Sequence, residues 1–189
     1  MVKRHYRRIR DLIVIFQVPP FLGSNAMNDL TSSEIQELRD LLEVEKIRRV
    51  KQLYSHLMDS GQIDALANIF TEDAVCEFGP EYGNWEGRET IRSNYKNVFS
   101  GQNSFQAMHH CTNHWVDLTG PTTATGRSYL IDVITTTDAE GQPIVWFGVY
   151  DEEYQKVGQQ WQIKRCTLQF LWPTRMTMPS FETPYPVVS

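Results

Sequence analysis

Two strand-like runs joined by a glycine–proline turn constrain this chain more than any other feature. The first is Met108 to Leu118, the second Ala124 to Ile134, and Thr119-Gly120-Pro121-Thr122 lies between them. Glycine supplies a positive φ at no steric cost and proline fixes the φ that follows, so the segment reads as a tight turn. A hairpin folded about Gly120-Pro121 places His109 directly opposite Asp132. Opposed residues share one face of a sheet, with Cβ atoms about 4.5–5.5 Å apart. A bulge of one residue would bring His110 opposite Asp132 instead, on the other face. The straight register is preferred, and it sets an imidazole beside a carboxylate.

The rest of the chain places that hairpin in an α+β fold. Thr31-Ser32-Ser33-Glu34 has the capping-box pattern that opens a helix. Leu38, Leu41, Leu42, Ile47, Val50, Leu53, Tyr54 and Leu57 recur at helical spacing after it, and Asp59-Ser60-Gly61 supplies the stop. Asp64 to Phe70 reads as a short second helix and Ala74 to Phe78 as a short strand. A third helix begins at Arg88, with Ile91, Tyr95, Val98 and Phe99 as its apolar side. Beyond residue 105 the periodicity changes to that of strands. Two more follow the hairpin, Ile144 to Tyr150 and Trp161 to Leu171. Helices first and a meander afterwards indicate segregated layers, and a curved sheet over helices leaves room for a pocket.

Residues 1–26 differ in character. A basic run (Lys3, Arg4, Arg7, Arg8, Arg10) precedes a short apolar run, Pro19-Pro20 and Ser24-Asn25-Ala26. A targeting or membrane-surface segment is one reading. The preferred one is an upstream extension, with Ser24-Asn25-Ala26 like the scar of a cleaved tag. The expected domain is 27–172. An extended, proline-rich tail covers 173–189, either packed on the body or disordered.

Composition narrows the function classes. Hydrophobic residues make up 41% and charged residues 22%, with a formal net charge of -5. These values suit a globular domain and give no polyanion-binding surface, so no nucleic-acid partner is expected. No apolar run is long enough to span a bilayer. Cys76, Cys111 and Cys166 read as buried free thiols, which favours a reducing, cytoplasmic compartment. There is no phosphate-binding glycine loop and no zinc spacing, and His109 and His110 point to opposite faces. Neither a metal nor a cofactor is implied.

The order of elements, with particular residues in it, resembles a known family. Tyr54-x-x-x-x-Asp59, Asp64-Ala65-Leu66, Phe70-Thr71-Glu72-Asp73-Ala74, Trp85-Glu86-Gly87-Arg88, His109-x-x-x-Asn113 and Trp161-x-Ile163 are similar to the SnoaL-like branch of the nuclear-transport-factor-2-like superfamily. The resemblance covers about residues 32–172. It implies a cone-shaped α+β fold, three N-terminal helices packed in a strongly curved antiparallel sheet, with a deep pocket. It also implies assembly as a homodimer or homotrimer through the outer sheet face. Enzymes of the superfamily include scytalone dehydratase, the bile acid 7α-dehydratase and ketosteroid isomerase. The small subunits of ring-hydroxylating dioxygenases share the fold, so fold does not settle function.

At the site the resemblance is to the bile acid dehydratase, and it implies Tyr54, Asp59, His109 and Asp132 as the catalytic set. His109 would be the general acid or base, with Asp132 fixing its tautomer. Tyr54 would donate from its hydroxyl. Asp59, at the negative end of the first helix, would suit a proton acceptor or donor. Each also has a bland reading: a satisfied core histidine, a packing tyrosine, a solvated aspartate. Asn113, on His109's face in the straight register, would hold a substrate oxygen, while His110 and His114 face away. Trp85, Trp115, Trp146, Phe147 and Phe170 are candidate pocket walls. Arg165 or Arg175 would meet any anionic group of the substrate. The expected activity is a cofactor-independent dehydratase-like lyase or isomerase on a small hydrophobic carbonyl or hydroxy compound, steroid- or polyketide-like. The alternative is a non-catalytic ligand-binding or assembly subunit, such as a dioxygenase small subunit.

Overall fold

The computed structural model describes residues 30–80, 82–100, 107–137 and 143–172. The extension 1–26 and the tail, Arg175 included, lie outside the described residues. The chain divides into two units, one ending at Glu37 and one beginning at Leu38. In the first, the capping box forms as its residues dictate. The Thr31 backbone N–H and hydroxyl both donate to Glu34 Oε2 at 2.8 Å, and the Glu34 N–H returns a bond to Thr31 Oγ1 at 3.2 Å. The helix so opened, α1, spans Ser32–Asp59.

The second unit adds α2 (Ile63–Asn68), β1 (Phe70–Glu77), β2 (Asn84–Glu86) and α3 (Arg88–Ser100), then four long strands. These are β3 (Ala107–Gly120), β4 (Thr123–Thr137), β5 (Pro143–Val157) and β6 (Gln160–Trp172). They form one curved, unclosed sheet in the order β2-β1-β6-β5-β4-β3. All neighbours are antiparallel except β1 and β6, which run parallel. That pair seats Cys76 beside Cys166. All three cysteines are free; Cys76 and Cys166 are buried and Cys111 is partly so. The short strand β2 carried no periodicity of its own, being three residues long.

Alternation sorts the strands into two faces. Ala124, Ser128, Leu130 and Asp132 of β4 and Tyr150, Glu152 and Tyr154 of β5 point inward and are buried. Ile47, Val50, Tyr54 and Met58 of α1 join them, with Ile91 and Tyr95 of α3. Trp115, Tyr129, Ile131 and Phe147 lie on the outer face and stay exposed. The apolar stripe of α1 is buried only from Ile47 onward; Leu38, Leu41 and Leu42 are exposed. The helical spacing of those leucines is real, but no described strand lies against them. No helix among the described residues is long and apolar enough to cross a membrane.

The hairpin register holds at the site for a reason the turn does not show. Gly120 pairs with Thr123, so the turn is centred on Pro121–Thr122 rather than on Gly120-Pro121. Two irregularities in β3, between Leu118 and Gly120 and between Thr112 and Trp115, then restore the expected pairing of His109 with Asp132. The second is a bulge at Asn113, whose φ is 53°. Asparagine is among the few non-glycine residues that tolerate this region.

Candidate functional site

A cavity of about 120 Å³ opens between helices and sheet. Tyr54 and Met58 line it from α1, Trp85 from β2, and Tyr95 and Val98 from α3. The sheet contributes His109, Leu130, Asp132, Trp146, Tyr150, Leu168 and Phe170. The walls are mostly aromatic: Trp85 meets Tyr95 edge-to-face at 5.0 Å, and Trp146 meets Phe170 at 4.8 Å. Such packing restricts the rotamers of the wall.

His109 sits in the wall of this chamber with its side chain 5% exposed, held from both sides. Its Nδ1 lies 2.5 Å from Asp59 Oδ1, and its backbone N–H donates to both Asp59 oxygens at 3.2 and 3.0 Å. Asp59 closes α1, so the end of that helix is tied to the edge strand β3 by one carboxylate. A carboxylate only accepts, so Nδ1 carries the hydrogen and Nε2 is the atom available for proton transfer. Nε2 lies 4.0 Å from Asp132 Oδ2, beyond a direct hydrogen bond. The expected roles of the two aspartates therefore change: Asp59 fixes the tautomer and Asp132 does not. Asp132 faces the chamber beside the imidazole, and burial raises its carboxyl above the usual range, with His109 opposing and Asp59 adding.

Tyr54 is buried, and its hydroxyl shares a hydrogen bond of 3.0 Å with the Tyr95 hydroxyl. Burial pushes both phenols well above the ordinary value, so both remain protonated donors. Tyr95 was legible as a residue of the apolar side of α3, but nothing in its spacing announced a partner hydroxyl.

Four of the expected positions thus converge, and Trp85 joins them as wall. Three do not. Asn113 is exposed and lines the cleft between α1 and β3 that His109 and Asp59 also line, not the chamber, because the bulge turns it out and turns His114 in. Phe147 is 41% exposed on the outer face, since β5 presents Trp146 rather than Phe147 to the chamber. Arg165 also lies on the outer face, bonded to Glu77 at 2.9 Å and to Glu153 at 3.5 Å. Trp115, the other outward wall candidate, donates to Asp117 at 2.8 Å.

Below the chamber lies a polar network that the sequence did not announce. Lys51 Nζ donates to Glu152 Oε1 at 2.7 Å, with side-chain exposures of 2% and 0%. Burial works against the Lys51 charge, yet Glu152 beside it holds the ammonium above the ordinary range. The same nitrogen stands 3.3 Å over the Tyr150 ring and 4.5 Å from the Tyr54 ring. Tyr154 donates to Glu152 Oε2 at 2.8 Å, and His114 Nε2 comes within 3.9 Å of that carboxylate. Gly126 makes room for this: a Cβ there would meet His114 Nε2 at 2.8 Å and Tyr154 at 2.9 Å. A signal existed in hindsight, since Lys51 falls inside the buried stripe of α1 and Glu152 in the inward register of β5.

A second, larger cleft of about 810 Å³ lies between α1 and β3. Asp59 lines this cleft but not the chamber, Asp132 lines the chamber but not the cleft, and His109 lines both. The histidine is therefore the link between a small apolar space and a larger one.

Known proteins share this fold. A Novosphingobium aromaticivorans protein named provisionally as a scytalone dehydratase is 25% identical, with a TM-score of 0.63 over 74% of this chain and 91% of that one. A second protein of that organism, provisionally named an aromatic ring hydroxylase, is 30% identical with a TM-score of 0.59, over 67% and 87%. LinA, at 20% identity and a TM-score of 0.62 over 76% and 99%, shares the fold. The model of the SnoaL-like domain matches residues 39–167, from early α1 to β6, and the chain belongs to that family.

Proposed function

We propose that the chamber carries out cofactor-independent acid–base chemistry, a lyase or isomerase reaction on a small hydrophobic ring compound bearing a carbonyl or hydroxyl group. The observation that carries this reading is the clamped imidazole: Nδ1 against Asp59 at 2.5 Å and Nε2 on the chamber side, 4.0 Å from a second carboxylate. A histidine oriented by a third group is the arrangement that general acid–base chemistry requires. For a dehydration, His109 Nε2 takes the proton next to the carbonyl, and the C–H electron pair becomes the new C=C bond. The β C–O bond breaks, and hydroxide leaves as water after receiving a proton from a chamber donor. Tyr54 and Tyr95 share one hydrogen bond, so one of their two hydroxyl hydrogens remains to donate to the carbonyl oxygen or the leaving group. The scytalone dehydratase name of one similar protein supports the same class.

The test is to screen β-hydroxy ketones of one or two rings for growth of conjugated-enone absorbance. His109→Ala and Asp59→Asn are then compared with the wild type at equal fold content. A loss of about 100-fold or more in both variants is expected, from the usual worth of a positioned acid or base. Near-wild-type turnover in both would remove the dyad from the mechanism.

One observation favours a second reading. The 30% identical protein carries the provisional name of an aromatic ring hydroxylase, which points to ring oxygenation as the setting, and the second reading is an assembly subunit of such an oxygenase. Under it the chain would copurify with an iron–sulfur large subunit, and His109→Ala would leave that complex and its activity intact. The exposed Trp115, Tyr129, Ile131 and Phe147 support a homodimer or homotrimer through the outer sheet face. Sedimentation of a Trp115→Lys variant tests that assembly.

A further inference from the structure

Two polar atoms of the chamber wall have no hydrogen-bond partner among the described residues: Asp132 Oδ1 and Trp146 Nε1. Both are buried. Unsatisfied buried polar atoms are rare and costly, so a pair in one cavity calls for an explanation. The two residues are direct cross-strand neighbours, Asp132 on β4 facing Trp146 on β5 in register. Both side chains line the chamber. One atom accepts and the other can only donate.

We infer that Asp132 Oδ1 and Trp146 Nε1 form a two-point seat for a single hydroxyl group on a one-ring ligand, with Trp146 as a specificity-determining residue. A hydroxyl, like a water molecule, can satisfy both atoms at once, and a ligand that carries one replaces water there without losing either bond. Its O–H donates to Asp132 and its lone pair accepts from the indole N–H. A carbonyl satisfies only the indole, and a hydrocarbon satisfies neither. A carboxyl oxygen accepts whether or not its other oxygen carries a proton. The cavity of about 120 Å³ sets the size. An apolar cavity of about 150 Å³ takes benzene, whereas drug-sized ligands occupy about 300–1,000 Å³. One carbocycle fills a space of that size, and any further ring would extend through its open side. The seat lies beside His109 Nε2, so a hydroxyl held there sits next to the proton-transfer atom.

This inference deepens the acid–base reading of the same chamber, and binding without turnover separates the two. The probes are phenol and cyclohexanol against benzene and toluene, measured by calorimetry and by the indole N–H resonances of protein labelled with nitrogen-15. The Trp146 resonance is identified from its loss in Trp146→Phe, which keeps the ring and removes the donor. Phenol is expected to bind at least about tenfold more tightly than benzene, the worth of one otherwise unpaired buried group. It should also move the Trp146 N–H signal while benzene leaves it near its original position. In Trp146→Phe, and separately in Asp132→Leu, the preference should fall to about threefold or less. Equal affinities for phenol and benzene would overturn the seat. So would a preference that survives both substitutions, or no binding of any probe at millimolar concentration. A chain that fails to turn over any ketone but keeps the hydroxyl preference would refute the catalytic proposal and leave the seat standing.

Discussion

Replacing Lys51 by methionine tests the energetics of the site most directly. Lys51 and Glu152 are 2.7 Å apart with side-chain exposures of 2% and 0%, so neither charge has recourse to water. Methionine matches the volume of the lysine stem and removes the charge. Glu152 then keeps the Tyr154 hydroxyl at 2.8 Å and the Cys166 thiol at 3.8 Å, and no cation. Leaving one partner of a buried pair alone costs about 3–5 kcal/mol. For a domain of this size each kcal/mol lowers Tm by about 2–4 °C, so Lys51→Met should melt roughly 6–20 °C below the wild type. The double variant Lys51→Met/Glu152→Gln removes the orphaned charge and still accepts from Tyr154. It should recover at least about 2 kcal/mol relative to Lys51→Met, the signature of direct coupling. Recovery is incomplete, because the ammonium 3.3 Å over the Tyr150 ring is lost in both. Urea denaturation followed by circular dichroism gives the four stabilities of the cycle. A coupling energy near zero, with the double variant as unstable as the sum of the singles, would refute the reasoning.

The remaining predictions follow from the same wall. Burial pushes His114 down to about 4 from 6.5, with Glu152 opposing and Lys51 and Arg48 adding. A depressed histidine favours the neutral folded form, so this contribution is complete above the unfolded value and is lost as pH falls through the folded one. The wild type should lose about 3 kcal/mol more than His114→Gln between pH 7.5 and pH 4 in urea titrations. Asp132 has the opposite sign: its raised carboxyl weakens the fold as pH rises from the unfolded carboxyl range through the folded value. Asp132→Asn should therefore be more stable than the wild type at pH 7, with the gain shrinking toward pH 4, while turnover falls; a gain that grows at low pH contradicts this. Gly126→Ala places a methyl within 3 Å of His114 and Tyr154, and should cost about 1–3 kcal/mol in chemical denaturation.

How much of this was legible in the residues depends on what each position reveals by itself. The capping box of Thr31 and Glu34, the stop after Asp59 and the change from helical to alternating periodicity near residue 105 are local signals, and each element formed where its residues placed it. The pairing of His109 with Asp132 was reached through a turn centred one residue too early, and two irregularities in β3 made up the difference. No turn rule contains those irregularities. The one at Asn113 decides which of Asn113 and His114 enters the protein, and asparagine's tolerance of positive φ was the faint signal available. Phe147 and Arg165 failed for another reason. Around residues 146–150 both faces of β5 carry apolar side chains, so alternation could not say which tryptophan or phenylalanine looks inward. Arg165 has the charge an anionic substrate group would need, but its two acidic partners come from β1 and β5, distant in sequence.

The polar groups inside this domain fall into two kinds, and the difference separates support from chemistry. Lys51, Glu152, Tyr154 and His114 face one another in a network whose charges are matched. Such a set holds α1 to the sheet and asks for nothing further. Asp132 and Trp146 lie higher on the same inward face and line the cavity, and each has a buried polar atom that the described residues leave unmet. Asp59 and Tyr95 belong to both kinds, since each completes a structural bond while orienting a group that lines the chamber. Ser128 Oγ, buried on the same face outside the chamber lining, is also unmet, so what sets Asp132 and Trp146 apart is that an unmet donor and an unmet acceptor stand on neighbouring strands beside one cavity. Strain of that kind persists where binding relieves it. The network and the seat should therefore respond differently to substitution: changes at Lys51 should appear chiefly in stability, and changes at Trp146 chiefly in which ring compounds are held.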